Sequence, residues 1–263
     1  LVVRIVGVGP QTDSYIAAQA VPVVLGAVVI AALQSVWMPR LAVLTCSIGE
    51  WRRQQAVAQG HAAILSVGLL LVLGVGVGWW LPWCYPGLSE QQQQDAMGFT
   101  FVLLGATGFT TQSALLTVAL RARDRFVAPE LIATVGAAFA LVATYLALPH
   151  WGVDAAVWIA LTRSVLVYLA QMWIAGWPAL SLRDGWRSGS EWRQMRPLLF
   201  GTSIYKTSPV IDRYWASQAP AGAITVLALA NTAITSAATV LDRALGIPLV
   251  PTLSRLVAEG QYE

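Results

Sequence analysis

Charged residues are scarce in this 263-residue chain. Its 16 Lys and Arg and 13 Asp and Glu make up 11% of the sequence, whereas a soluble domain carries about 25%. Hydrophobic residues make up 57%. So little charge cannot cover a water-exposed surface, so the composition predicts a multi-pass membrane protein. The net charge of +3 does not indicate nucleic-acid binding, because the basic residues are divided among separate loops.

The residues and motifs of soluble enzymes are also missing. There are two cysteines, Cys46 and Cys84, and two histidines, His61 and His150. The topology predicted below separates the members of each pair, so neither a disulfide nor a metal site is expected. No Walker motif, HExxH or nucleophile elbow occurs. We therefore expect no enzymatic activity, no cofactor and no nucleic-acid partner.

Long apolar runs predict seven complete membrane spans after the end of a first helix at Leu1–Gly7. The runs are Thr12–Leu44, Ala56–Leu81, Gln94–Leu120, Pro129–Leu148, Val153–Ala175, Arg196–Ala219 and Ala223–Val250. Each has about the 20 residues that a spanning helix needs. Because the chain starts inside an apolar run and stops soon after a helix, we expect it to be a piece of a longer protein.

Basic residues occur in every second loop. Arg52 and Arg123 lie in basic loops, whereas the loops that contain Glu90 and His150 have no Lys or Arg. Cytoplasmic loops are enriched in Lys and Arg, so we expect the first two to be cytoplasmic and the last two extracytoplasmic. Tryptophans near the span ends predict two interfacial belts. They are Trp79, Trp80, Trp83 and Trp151 outside, and Trp37, Trp51, Trp177, Trp186 and Trp192 inside.

An internal repeat relates the second and eighth spans. Gly9-Pro10-Gln11-Thr12 opens one, and Gly222-Ala223-Ile224-Thr225 opens the other. The repeat unit is six helices in the same orientation, a pattern that builds two-lobed transporters with the substrate path between the lobes. The repeat predicts a six-helix N-terminal lobe at 1–195 and the first two helices of a second lobe at 196–263.

The strongest functional signal is a set of polar residues at membrane depth in the seventh and eighth spans. They are Lys206, Asp212, Arg213, Asn231, Thr232, Thr235 and Ser236. Charges in hydrocarbon are costly, so they face a cavity or a partner. Lys206 and Arg213 are two helical turns apart and share a face, which predicts a cationic wall for an anionic headgroup. The alternative is that Arg213 snorkels to the outer interface.

Two further features leave alternatives open. Arg163, in the sixth span, lies at a depth close to that of Asp212, which predicts either a structural ion pair or a ligand contact. A stripe along the eighth span either lines a path or bonds a neighbouring helix. Its residues are Thr225, Thr232, Ser236, Thr239 and Arg243.

Several motifs resemble those of one family. The first motif opens the second span and is followed by Pro22; it reads Gly7-x-Gly9-Pro10-x-Thr12-Asp13-Ser14-Tyr15. The second lies in the seventh span and reads Ile211-Asp212-Arg213-Tyr214-Trp215-Ala216-Ser217. The third lies in the eighth span, where it starts at Ala230-Asn231 and ends with Leu249-Val250-Pro251-Thr252-Leu253-Ser254-Arg255. Together they resemble the MurJ/MviN lipid II flippases of the multidrug/oligosaccharidyl-lipid/polysaccharide exporter superfamily. The resemblance implies an all-α, two-lobed, MATE-like transmembrane fold in the bacterial inner (plasma) membrane.

The implied activity is flipping of a polyprenyl-pyrophosphate-linked glycan precursor, similar to lipid II, by alternating access. The implied partners are that substrate, membrane lipids and a coupling ion, and a monomer is expected. Two alternatives remain: a small-molecule or cation antiporter of the same superfamily, and a degenerate, non-transporting membrane scaffold.

The chain departs from the family at the positions of its anion-binding arginines. Gly26 and Ala27 stand where the family has an arginine pair, and Thr232 replaces an arginine of the eighth helix. We therefore expect the anion site to have shifted onto Lys206 and Arg213. Hydrogen bonds would come from the eighth span, and the site as a whole would comprise Lys206, Arg213, Asp212, Arg163, Asn231, Thr232, Thr235, Ser236 and Asp13.

Overall fold

A computed structural model describes residues 2–44, 48–177 and 179–241, which form helices and no strand. The helices are α1 (Val2–Val6), α2 (Pro10–Val43), α3 (Ile48–Val75), α4 (Val77–Cys84), α5 (Glu90–Arg121), α6 (Val127–Ala175), α7 (Leu182–Arg187), α8 (Gly189–Lys206), α9 (Ser208–Ser217) and α10 (Ala223–Leu241). Among these, α2, α3, α5 and α6 are long and apolar enough to cross a membrane. The predicted all-α, membrane-embedded fold is confirmed.

Helix α6 contains two spans that double back on each other. Gly152, just after Pro149, has φ +58° and ψ −147°, a conformation that favours glycine and is not helical. An ideal Cβ on Gly136 would lie 2.5 Å from Val167, so the two halves of α6 run side by side in opposite directions. The fifth and sixth predicted spans are these two halves.

Two other predicted spans are interrupted. The third consists of α3 and α4, which are separated at Gly76. The seventh, predicted as one helix, is interrupted at Thr207, between α8 and α9, although the Thr207 backbone stays in the right-handed helical region. The cause is Pro209, which lacks an N–H and whose ring disfavours the preceding helical turn. The last part of the eighth span, Asp242–Val250, lies outside the described residues.

The core forms where α2 packs along α5. Trp37 and Leu41 of α2 and Leu115 of α5 are almost completely buried in one cluster. A second cluster nearer the start of α2 holds Ile16 and Leu104. Helix α2 is therefore the central element against which the other helices are positioned.

Some of the tryptophans predicted in lipid-facing belts are buried in protein instead. Trp37 is 0% exposed and Trp51 3%, and Trp80 donates a hydrogen bond from Nε1 to the Leu73 carbonyl at 2.9 Å. The belt prediction is wrong for these three residues. Proximity to a span end does not reveal whether an indole faces lipid or a neighbouring helix.

The connector α7 and the first turns of α8 pack against α2 and α3. The Ser181 N–H donates to the Ala56 carbonyl at 3.2 Å, and Ser188 Oγ lies 2.8 Å from His61 Nε2. Glu191 forms an ion pair with Arg40. The start of α8 is thereby tied to the basic end of the helix bundle.

The Glu191 carboxyl is held in its ionised form. Burial alone would raise its pKa, but hydrogen bonds from Ser190 and Arg40 outweigh that effect, and the pKa lies below the ordinary glutamate value. The Ser190 hydroxyl donates to Glu191 at 2.7 Å. The contact between α2 and α8 is therefore a charged one at neutral pH.

Candidate functional site

A narrow cleft of about 160 Å³ lies where α1 and α2 meet α9 and α10. Arg213 enters it from α9 and Thr232 from α10, so the structure brings these two predicted site residues together. Opposite them, α2 contributes a hydroxyl-bearing and amide-bearing face. The residues of α2 that line the cleft are Thr12, Tyr15, Ile16 and Gln19.

Arg213 is half-buried, and its Nε–H is buried without a hydrogen-bond partner among the described residues. The hydroxyl of Tyr85, a residue that is 0% exposed, is likewise buried and without a partner there. The two side chains interact electrostatically. Burial raises the pKa of Tyr85 far above its ordinary value, so its hydroxyl stays neutral and can donate a hydrogen bond.

The hydroxyl groups of α10 bond to their own helix. Thr232 Oγ1 donates to the Ala228 carbonyl at 2.7 Å, and Thr235 Oγ1 donates to the Asn231 carbonyl at 2.7 Å. A hydroxyl that donates in this way still has lone pairs with which to accept. Thr232, Thr235 and Ser236 are exposed, and Asn231 is half-buried. Thr232 is the one among them that lines the cleft.

The remaining predicted cations are not gathered beside Arg213. Lys206 is exposed at the end of α8, ahead of the break at Thr207, and is not among the cleft's lining residues. Arg163 is exposed on α6, and its Cγ lies 3.8 Å from where a Cβ on Gly136 would be. Asp212 is exposed on α9. No described ion pair joins Arg163 to Asp212, so that prediction is wrong.

Asp13 joins α2 to the start of α10. It is 3% exposed. Its carboxylate accepts hydrogen bonds from the Gly222 N–H, from the Thr225 N–H at 2.9 Å and from Thr225 Oγ1 at 2.6 Å. The first N–H groups of a helix have no partner within it and carry partial positive charge, so a buried carboxylate stabilises this end. Asp13 thus caps a helix that lies more than 200 residues further along the chain. We call these three residues the Asp13 cap.

Gly222 allows this close approach. Its φ is +96°, a conformation that other residues rarely adopt, and an ideal Cβ there would lie 2.5 Å from Val8 Cγ1 and 3.8 Å from Val8 Cβ. Thr225 is 0% exposed. The polar stripe of the eighth span was expected either to line a path or to bond a neighbouring helix. Thr225, its first residue, bonds a neighbouring helix, because it donates to Asp13 of α2.

Gly26 and Ala27, the positions expected to match the family's arginine pair, differ in how closely they are packed. An ideal Cβ on Gly26 would overlap the Thr107 side chain of α5, so Gly26 is a point of close helix packing without room for an arginine. Ala27 is half-buried. The departure at Gly26 is therefore built into the contact between α2 and α5.

Comparison with known proteins identifies the family. A family model described as the lipid II flippase MurJ matches residues 2–263. The chain belongs to the MurJ lipid II flippase family. A solved structure, "Lipid II flippase MurJ, inward closed conformation", has a TM-score of 0.66 and 16% sequence identity, with 83% of this chain and 47% of that chain covered. At that identity the likeness shows the fold alone. The chain spans about half the length of the MurJ structure.

Sequence reasoning missed three polar residues near Arg213 in this MurJ-family chain. Tyr15 and Gln19 lie one turn apart on α2, on the same face as Thr12. That spacing, in an otherwise apolar helix, was the available signal. No sequence signal pointed to Tyr85, because it lies in the turn after α4 and only the folding of the chain brings it near Arg213.

Proposed function

We propose that this chain is part of a flippase that moves a polyprenyl-pyrophosphate-linked glycan precursor, similar to lipid II, across the bacterial inner membrane. Residues 1–195 would form the N-terminal lobe and 196–263 the start of a second lobe. The two lobes would alternate between inward and outward openings. The Asp13 cap is the observation that carries this proposal, because it joins the proposed lobes through one small, polar and separable contact.

The position of the cap supports a gate at one end of the path. It lies at the same end as the loops without Lys or Arg, where Gln92 of α5 donates to the Pro10 carbonyl of α2 at 3.3 Å. The basic residues Arg40 and Arg123 lie at the other end, with Arg40 on Glu191 and Arg123 over the Trp51 ring at 3.5 Å. A closed cap is the state expected when the path opens inward.

The charge of the cleft supports an anionic headgroup as cargo. Arg213 is the charged residue among the described lining of the cleft, and no carboxylate lines it. Arginine binds phosphate oxygens through a planar fork of donors. An antiporter of organic cations needs the opposite charge. Lys206, Asp212, Arg163, Asn231, Thr235 and Ser236 are proposed to complete the site when the path widens.

The test is a flipping assay with the purified full-length protein in proteoliposomes, using a fluorescent polyprenyl-pyrophosphate glycan. A hydrogen bond to a charged group contributes about 1.5–3 kcal/mol, so Arg213→Ala and Lys206→Ala should each slow flipping by roughly ten- to 150-fold. Arg213→Lys keeps the positive charge but loses the planar fork of donors, so its flipping rate should lie between those of the parent and of Arg213→Ala. Thr235→Ala is the comparison variant: it removes a neutral hydroxyl of the same proposed site, so it should slow flipping less than the loss of either cation.

Two outcomes would count against the proposal. If both cation variants insert normally and flip at the parent rate, neither side chain contacts the anion. If the parent protein fails to move the pyrophosphate lipid under any imposed sodium or proton gradient, the non-transporting scaffold becomes the better account.

A further inference from the structure

A separate cavity of about 710 Å³ lies outside the proposed transport cleft. It is bounded by the start of α2, the first turns of α5 and the turn within α6 at Gly152. Its volume is in the range of small-molecule sites. Neither the Asp13 cap nor Arg213 belongs to its lining, so it has no part in the proposed path.

The cavity is negatively charged. Asp95 of α5 and Asp154 of α6 both line it. Among the described residues neither forms an ion pair, and Asp95 accepts a hydrogen bond from Gln91 at 3.2 Å. The neighbouring loops at 82–93 and 149–154 contain no Lys or Arg. The two carboxylates therefore share one recess with no Lys or Arg in the loops beside it, and His150 is the one basic side chain among the described lining residues.

Aromatic rings stand beside both carboxylates. Phe99 lies one helical turn after Asp95, and Trp158 lies one turn after Asp154, so each ring shares a face with its carboxylate. Trp151 adds a third ring from the turn. Trp151 is 71% exposed and Trp158 58% exposed, so much of each indole is open for contact.

Carboxylates combined with aromatic faces recognise ammonium groups, which gain both ionic and cation–π attraction. A metal ion is less suited, since no group of three or more His, Cys, Asp or Glu side chains in the described part of the chain is placed to hold one. A neutral sugar could stack on tryptophan, but it would leave both negative charges uncompensated. We propose that this cavity binds a small organic cation, with its ammonium group on Asp95 and Asp154 and its alkyl groups against the aromatic rings.

The proposal does not depend on flipping and can be tested by isothermal titration calorimetry. The purified protein in nanodiscs of neutral lipid is titrated with choline chloride at constant ionic strength, and with dimethylbutanol, the neutral carbon analogue of choline. We expect saturable choline binding and at least about tenfold weaker binding of the alcohol. Asp154→Asn should weaken choline binding by about tenfold or more, and Trp158→Ala should also weaken it.

Glu90→Gln is the matched control. Glu90 is exposed at the start of α5, carries the same charge at the same end of the bundle, and does not line the cavity, so this variant should bind choline like the parent. Asp95→Asn, on the other helix, gives an independent second variant if Asp154→Asn fails to fold. The proposal is overturned if choline does not saturate, if the alcohol binds equally well, or if Glu90→Gln weakens binding as much as the cavity variants.

Discussion

Removing the carboxylate of Asp13 should open the α2–α10 contact. Asp13→Ala leaves the Gly222 N–H, the Thr225 N–H and the Thr225 hydroxyl without their acceptor. Replacing a helix-capping side chain by alanine costs about 0.5–2 kcal/mol, and a hydrogen bond to a charged group contributes about 1.5–3 kcal/mol. Because water can reach the donors once the contact opens, we expect a net effect of about 2–4 kcal/mol on the closed state. That corresponds to a roughly 30- to 1,000-fold larger open fraction.

The assay is labelling of a single cysteine in the cleft by a membrane-impermeant maleimide. Gln19→Cys, in a background with Cys46→Ser and Cys84→Ser, places the thiol beside Arg213 and Thr232. When opening is fast, the labelling rate follows the open fraction.

Asp13→Ala should raise that rate by the factor above, and Asp13→Asn, which keeps one acceptor oxygen, by less. Glu90→Gln should leave it unchanged. An unchanged rate in folded Asp13→Ala protein would refute the idea that the Asp13 cap keeps this end closed.

Three further predictions concern packing, pH and topology. Gly26→Arg should lower the yield of folded protein in size-exclusion chromatography, because the side chain meets Thr107; normal yield would contradict the close contact. At pH 7, Glu191→Gln should lower thermal stability by about 1 kcal/mol. Because its folded-state pKa is lowered, the parent's advantage should vanish as the pH falls below the ordinary glutamate value; a pH-independent difference would exclude the ion pair as its source. A cysteine at position 90 should react with an impermeant reagent from outside and one at position 52 should not; the reverse result would invert the topology.

The sequence predicted the helices better than their interruptions. Apolar length and basic loops depend on local composition, and they located the spans that became α2 and α5. Pro209 was visible, but its effect depends on whether neighbouring helices support the interrupted turn, which sequence spacing does not reveal. The expectation that Lys206 and Arg213 share a face assumed a regular helix, but an interruption at Thr207 separates them, and Arg213 lines the cleft whereas Lys206 does not.

The site was predictable only in part. Arg213 and Thr232 stood out because polar groups are costly in hydrocarbon, and the structure gathers them in one cleft. Asp13 was identified through the family resemblance, but its bonding to the start of α10 joins residues more than 200 positions apart. No periodicity encodes such a contact. The predicted Arg163–Asp212 pair failed for the same reason, since equal depth in a membrane does not specify which helices are neighbours.

The central claim is that the α2–α10 contact must open for a lipid-linked anion to cross. A disulfide between Val8→Cys and Gly222→Cys tests it directly, because the Cβ positions lie 3.8 Å apart, close to the usual disulfide separation of about 3.8 Å. The measurement is flipping of a pyrophosphate-linked glycan in proteoliposomes before and after oxidation, with both native cysteines replaced and Val8→Cys alone as control. We predict that oxidation stops flipping in the double variant and that reduction restores it. If the protein with the disulfide fully formed flips as fast as the same protein after reduction, the account is contradicted.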